Sequence, residues 1–549
     1  MTHLPMTSSP TALDAGEADQ SVKAVNRRAF LMQTAAITAA AAAGAAAFPA
    51  AASASSWSGK APKFGSDAYV KPRPEAIADP TELTVAEAAW MIKNGKLKPV
   101  DLVEAYLARI TAYDSVYQAF NTVLGAEALA AAKAVARKKP TSPLHGIPLA
   151  IKDNYWTKGV RTTANSYLFQ DFVPPYDATA VARLKSAGAI VIGKTQMGPL
   201  ATTRATTPDG RITTVNAWTP NNASTDPGGS STGTATSVAS RMAASGTGTQ
   251  TGGSITAPSN AQNLTGLKPT MGRVSLAGII PLSYTRDHPG PLARDAKDAA
   301  IMLTAMAGED SADPRTQGLP PLPDLVAAAT PSFSKGRCRT RKKIRVGVLP
   351  GYASNTTRQA FLSTLDGIDN ISLVDVPLPD QWDLLTGNDF NNVRLPERSE
   401  PFMPYLRSDL RGFGVSVTGW LQGALLGANE FITGQRAKLL LLERVLDQVF
   451  AKCDVVVQTS PVPFDILGLP EIGFPIGFSA AGVPIGTILG GAPYEEDTLL
   501  SVVGAYQAVT DWHWKRPADP AVPAATARAL KTTDDRGRLS ADDVLDQMQ

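Results

Sequence analysis

The sequence predicts an α/β protein organised around a β-sheet, and three observations carry that prediction. Two short apolar runs of strand length, Ile147–Ile151 and Ala189–Gly193, are separated by a helical segment over Thr179–Ala187. A second set of such runs lies near the end of the chain, at Asp454–Val457, Ile472–Phe478 and Val483–Leu489. Helical periodicity recurs between them, as at Leu102, Val103, Tyr106, Leu107 and Ile110, which share one face of a helix over Val100–Thr111. Strands alternating with helices in this way bury a sheet beneath helices.

Composition narrows the class. The 549 residues can bury a large core, and 44% hydrophobic with 18% charged residues describes an ordinary globular chain. A formal charge of +3 is too small for a nucleic-acid partner. Cys338 and Cys453 show no CxxC or histidine-rich spacing, so no metal site is expected. The two thiols either pair after export or stay buried, and both alternatives remain open.

Residues 1–54 read as an address. Asn26-Arg27-Arg28-Ala29-Phe30-Leu31 is a twin-arginine signature, followed by an alanine-rich run over Ala35–Ala47 and a small-x-small site at Ala52-Ser53-Ala54. Cleavage after Ala54 and export of the folded chain to the periplasm or beyond are expected. A membrane anchor is the competing reading. Gly44 and Pro49 interrupt the run, which falls short of the roughly 20 apolar residues of a span, so no stable span is expected after processing.

The remaining elements follow in order. Residues 55–80 predict an extended lead-in. Thr84-Val85-Ala86-Glu87 has capping-box spacing and opens a helix to about Asn94. An alanine-rich helix is expected over Ala126–Lys138. Between Ala223 and Ala257, 28 of 35 residues are Gly, Ser, Thr or Ala, a composition that also suits a flexible linker. Spaced apolar residues (Val238, Met242, Ile255) and flanking ordered segments favour close backbone packing instead. Gly308–Asp324 predicts a connection, Lys343–Val348 a strand, Gln381–Leu425 an irregular stretch and Gln435–Phe450 a helix. The last two runs predict strands paired as a hairpin across Ser479–Gly482. No repeat or sharp boundary appears, so residues 81–549 are expected to form one unit, variable over about 305–453.

Four motifs carry the chemistry: Gly146-Ile147-Pro148-Leu149-Ala150-Ile151-Lys152-Asp153-Asn154, Gly228-Gly229-Ser230-Ser231, Thr251-Gly252-Gly253-Ser254-Ile255 and Gly266-Leu267-Lys268-Pro269-Thr270. Each alone is weak. Together, in this order and with 24 positions between Ser230 and Ser254, they closely resemble the amidase-signature family of serine hydrolases. The resemblance runs from about Thr84 to Leu303 and resumes at Leu469-Pro470 and Gly482–Gly486.

That resemblance implies a single α/β domain with a mixed sheet of about ten or more strands flanked by helices. It implies a catalytic triad of Ser254 as nucleophile, Ser230 as relay across a cis Gly229–Ser230 peptide, and Lys152 as base. Backbone N–H groups of Thr251, Gly252, Gly253 and Ser254 are expected to form the oxyanion hole, with Gly229, Ser231 and Gln250 in support. The implied reaction hydrolyses a small-molecule carboxamide to a carboxylic acid and ammonia or an amine, with no metal or organic cofactor, in a monomer or homodimer. The physics is consistent: a serine hydroxyl needs a neighbouring base, and a lysine serves only when burial or nearby charge keeps it neutral.

The chain departs from the family's usual pattern. Gln250 and Thr256 stand where most members have an acidic and a basic residue, which reads as an ion pair replaced by a neutral one. Met197, Pro199 and Leu200 replace a more acidic and aromatic pattern and are expected to line the substrate pocket.

Three other readings compete. Esterase, urethanase or aryl-acylamidase activity would use the same triad. A non-catalytic binding protein would keep the scaffold. Gly229-Ser230-Ser231-Thr232-Gly233 also fits the G-x-S-x-G elbow of α/β-hydrolases, with Ser231 central and His288 or His513 as base, but no hydrophobic strand precedes it. A transamidation component working on charged tRNA is disfavoured by the leader.

Overall fold

The computed structural model describes Phe30 and residues 62–391 and 394–521, so the expected leader, Phe30 apart, lies outside the described residues. Twelve strands form one mixed sheet: β1 (Phe120–Val123), β2 (Pro148–Lys152), β3 (Ile190–Thr195), β4 (Ser245–Gln250), β5 (Thr265–Lys268), β6 (His288–Ala293), β7 (Ser332–Ser334), β8 (Arg337–Val348), β9 (Asp369–Asp375), β10 (Val455–Gln458), β11 (Glu471–Phe478) and β12 (Pro484–Gly491). Their order is β1-β3-β2-β4-β6-β5-β11-β12-β10-β8-β7, with β9 also on β8. The β2–β3, β2–β4, β8–β10 and β8–β9 pairs are parallel and the rest antiparallel. Helices cover the sheet, as the alternation of apolar runs requires.

The predicted start of the fold is present. Thr84 caps the helix Val85–Lys93 in a reciprocal capping box with Glu87. The next helix runs Pro99–Tyr117, six residues beyond the expected end. Its apolar face is interrupted by Asp114, which is buried because its carboxylate accepts the Ala119 N–H at 2.7 Å. β11 and β12 form the expected antiparallel hairpin, closed by Ser479 N–H on the Val483 carbonyl at 2.8 Å.

The small-residue stretch folds into helix Thr232–Ala239, strand β4 and helix Thr256–Ala261, with Val238, Met242 and Ile255 fully buried. The linker alternative is thereby excluded. Every residue of the first helix and of β4 is buried. Side chains this small let β4 run between β2 and β6 with helices packed directly on its backbone.

Six strands lie outside the predicted set: β1, β4, β5, β6, β7 and β9. β6 reads His-Pro-Gly-Pro-Leu-Ala, a composition normally barred from a central strand. It is tolerated because the β5–β6 ladder is limited to Ala293 and Leu292, so that edge calls for no donor at Pro289 or Pro291. Over Gln381–Leu425 the chain forms short helices, including Trp382–Thr386, Arg394–Ser399 and Val417–Leu425. Leu385 of the first packs with Leu441, Leu442 and Val445, whereas Phe402, Phe413 and Trp420 form a satellite core farther along the stretch. Cys338 and Cys453 are both buried and form no disulfide with each other.

Candidate active site

Three backbone elements converge at the centre of the sheet. β2 ends on Lys152, the Gly228–Ser231 turn precedes helix Thr232–Ala239, and the Thr251–Ser254 loop joins β4 to helix Thr256–Ala261. The Gly229–Ser230 peptide is cis. The Ser231 N–H donates to the Ser254 carbonyl at 3.3 Å, and the Gly198 N–H to the Ser230 carbonyl at 3.1 Å. The first bond holds the two serine segments side by side, and the second ties the Ser230 turn to the segment after β3.

Lys152 is wholly buried. Its Nζ donates to Ser230 Oγ at 2.8 Å, Ser231 Oγ at 2.9 Å, and Thr249 Oγ1 and O at 2.9 and 3.2 Å. None of these is an anion. Burial therefore pulls the amine down to about 7, with only Asp287 opposing through space. An amine with that pKa is substantially neutral at physiological pH and can accept a proton.

Ser254 is the most accessible of the three predicted catalytic groups, at 8% exposure against 1% for Ser230 and 0% for Lys152. The structure thus joins Lys152 to Ser230 by a formed hydrogen bond. It places Ser254 alongside without a hydrogen bond from its hydroxyl to another described residue. Such bonds commonly tighten only when substrate binds. Among the described residues, the N–H groups of Gly252, Gly253 and Ser254 donate to no acceptor either. Thr251 Oγ1 bonds Asp287, and Gly253 has a φ of +99°, a left-handed conformation that suits glycine.

Gln250 connects the loop to the core. Its Oε1 accepts the Ile255 and Thr256 N–H groups at 2.8 and 2.9 Å and the Thr256 hydroxyl at 3.3 Å. Its Nε2 donates to Asp465 and Glu471, each at 2.9 Å. The neutral Gln250–Thr256 contact thus occupies the place expected of an ion pair. Burial raises the pKa of both Asp465 and Glu471, which face each other beside Lys268 and Arg286. Gln250→Met would leave the buried Ile255 and Thr256 donors unsatisfied. It is expected to cost about 3 kcal/mol in urea unfolding, each orphaned group costing about 1–3 kcal/mol.

Gly229 tolerates no side chain. A Cβ there would lie 2.5 Å from the Thr203 carbonyl oxygen and 2.6 Å from Arg204 Cα. Gly229→Ala must therefore displace Ser230 or the 203–204 backbone. The expected result is loss of most activity, read as turnover, with the amount of labelled Ser254 reporting whether the nucleophile survives.

Met197, Pro199 and Leu200 are buried, and Met197 and Leu200 belong to the cluster of Phe402, Phe413 and Trp420. Ser231, the centre of the G-x-S-x-G alternative, is fully buried, bonds Lys152 and follows an irregular turn instead of a strand. Burial lowers the pKa of both His288 and His513. Sequence reasoning assigned no role to Lys194, whose Nζ pairs with buried Asp153 at 3.2 Å. The signal lay in Lys152-Asp153 and Gly193-Lys194-Thr195, adjacent on parallel β2 and β3. Burial lowers the Lys194 pKa and the Asp153 carboxylate opposes that shift, while neighbouring Lys152 is left without an anion among its hydrogen-bond partners.

The Lys152 environment also fixes a pH dependence of stability. Its folded pKa of about 7 lies below the ordinary 10.5, so between those values the unfolded chain binds a proton that the folded chain does not. Stability from this group is fully present above pH 10.5 and is lost as pH falls toward 7. Lys152→Met is expected to remove a rise of up to about 1.4 kcal/mol per pH unit within that window. The check is denaturant unfolding of both proteins at pH 7.5 and 9.5.

Known proteins resemble the chain in sequence and in fold. A family model described as Amidase matches residues 101–381. The chain is 36% identical over 488 residues to the A subunit of glutamyl-tRNA(Gln) amidotransferase from Roseiflexus sp. (strain RS-1), covering 80% of this chain and 99% of that protein. Native peptide amidase from Stenotrophomonas maltophilia superposes with a TM-score of 0.68 at 27% identity, over 82% of this chain and 99% of that one. A 6-aminohexanoate cyclic dimer hydrolase, at 20% identity and a TM-score of 0.67 over 80% of this chain and 99% of that one, shares the fold.

Proposed function

We propose, from the premise that the chain belongs to the amidase family, that it hydrolyses a small carboxamide to a carboxylic acid and ammonia or an amine. The observation that supports this reading is the wholly buried Lys152 amine, held at 2.8 Å from Ser230 Oγ with no anion among its hydrogen-bond partners. Neutral Lys152 takes the Ser230 proton as Ser230 takes that of Ser254. Ser254 Oγ then attacks the amide carbon. The oxyanion is received by the free N–H groups around Gly252–Ser254, where each donor contributes about 3 kcal/mol to barrier lowering. The proton returns through Ser230 to the departing nitrogen. Water, deprotonated by the same relay, then releases the acid from the acyl-enzyme.

The test is a panel of matched amide, ester and carbamate substrates, followed as kcat/KM, with a serine-directed fluorophosphonate as an independent probe. Turnover of amides together with labelling at Ser254 supports the reading. Faster turnover of esters or carbamates would move it to the esterase or urethanase alternative. Absence of both turnover and labelling would leave the binding-protein alternative.

A second reading is favoured by the extended likeness to the glutamyl-tRNA(Gln) amidotransferase relatives, in which the same acyl chemistry would serve an amide-transfer complex. The twin-arginine signature at Asn26–Leu31 speaks for export and against that role. Fractionation of cells carrying the full chain, with an Arg27→Lys, Arg28→Lys double variant, separates the two: an exported wild type and a retained variant support export.

A further inference from the structure

Beside the Thr251–Ser254 loop lies a group of cations that the hydrolytic chemistry does not use. Arg394 and Arg398 are one turn apart on the short helix Arg394–Ser399 and so share a face. A Cβ on exposed Gly252 would stand 3.6 Å from Arg394 Nη1, which sets this guanidinium against the rim of the expected oxyanion hole. Arg286 is fully buried nearby, and Lys438 lies behind it with its Nζ on the Thr285 carbonyl at 3.3 Å. Burial, joined by the charges of Arg394 and Arg286 and opposed by Asp287, lowers Arg398 to about 10.

The carboxylates of this region make their hydrogen bonds elsewhere, Asp465 acting on Arg394 only through space. Glu397 accepts from Ser283, Thr285 and Gln435. Asp287 accepts from Thr251, Leu282 and Ser283. Asp465 accepts from Gln250. Among the described residues neither Arg394 nor Arg398 makes an ion pair, and the Nε of each is buried without a hydrogen-bond partner. Like charges at i, i+4 repel, and burying unpaired charge is costly. Both arginines are half-buried and Arg398 also lies over the Trp420 ring, 5.5 Å from its centroid, so the pair still lacks an anion that a ligand from outside would supply.

We infer that the arginine pair Arg394–Arg398 binds a carboxylate carried by the substrate, so that the amides this site prefers are acidic ones, such as the monoamide of a dicarboxylic acid. This inference rests on the proposed amidase reading and adds the substrate class. The guanidinium fork matches a carboxylate in two parallel hydrogen bonds. Its position fixes the far end of the substrate while Ser254 meets the amide.

The experiment compares glutaramic acid with its uncharged counterpart, pentanamide, on wild type, Arg394→Met and Arg398→Met, with Arg398→Lys as the conservative variant. The expected result is a wild-type preference, in kcat/KM, for glutaramic acid. That preference falls about 10- to 100-fold in either methionine variant, mainly through KM, and recovers in part in Arg398→Lys. Equal use of the two amides by wild type, or a preference unchanged in both methionine variants, would overturn the inference. Binding of glutarate and of neutral glutaramide, measured by calorimetry, gives a readout that needs no turnover. If neither amide is hydrolysed, the amidase reading fails, while tighter glutarate binding that is lost in Arg394→Met still upholds the anion site. Glutarate binding no tighter than glutaramide sinks the site whatever the activity.

Discussion

Ser254→Ala is expected to abolish amide turnover, lowering kcat by about 10⁵-fold or more, the scale seen when a serine hydrolase loses its nucleophile. Fluorophosphonate labelling should disappear with it. The effect on folding should be small. Ser254 Oγ has no described hydrogen-bond partner, and the residue's structural contact, its carbonyl accepting the Ser231 N–H at 3.3 Å, does not involve the side chain. An unchanged melting temperature together with lost turnover would locate the effect in chemistry. Substantial turnover remaining in the purified variant would refute the assignment, because no other serine of the loop presents a hydroxyl beside the same N–H groups.

Lys152→Met is expected to lower kcat by about 10⁴-fold, the upper range for removing a general base. The pH profile makes the test sharper. The active form is the neutral amine, so wild-type kcat/KM should rise with pH and reach half its plateau near pH 7, the value to which burial pulls Lys152. Below that the amine is protonated and cannot relay. The variant should lose that limb along with the rate. A wild-type profile flat between pH 5.5 and 8.5 would show that no group of this pKa controls the reaction. Methionine conserves volume, so the test also spares the packing of β2 between β3 and β4.

Much of the site was legible in the sequence because its parts are local. Lys152 closes an apolar run, and the two serines each follow a glycine pair, so short motifs carry them. What was illegible depends on residues far apart in the chain. Gln250 meets Asp465 and Glu471 across more than 200 positions, and Arg394 reaches Gly252 from a segment with no regular pattern. The same holds for the fold. The hydrophobic runs of β2, β3, β10 and β11 announce themselves, whereas β6 contains two prolines and β5 is marked by Gly-Leu-Lys alone. Their strand conformation comes from the sheet around them. Met197 and Leu200 were expected to line the substrate pocket, and the aromatics from residues 402–420 that pack against them approach by no local pattern.

The crowding around β4 bears on how the chain can change over time. Ideal Cβ atoms on Gly246, Gly248, Gly266 and Gly290 would come within 2.1–2.6 Å of a carbonyl or neighbouring side-chain atom. One added methyl group therefore collides where an ordinary core would rearrange a rotamer. In a saturation-mutagenesis map this glycine-, serine- and threonine-rich heart should be as intolerant as any aliphatic centre. Variation would then be channelled into the helices that carry Arg394 and Trp420, so new specificities would arise there while the hydrolytic apparatus stays unaltered.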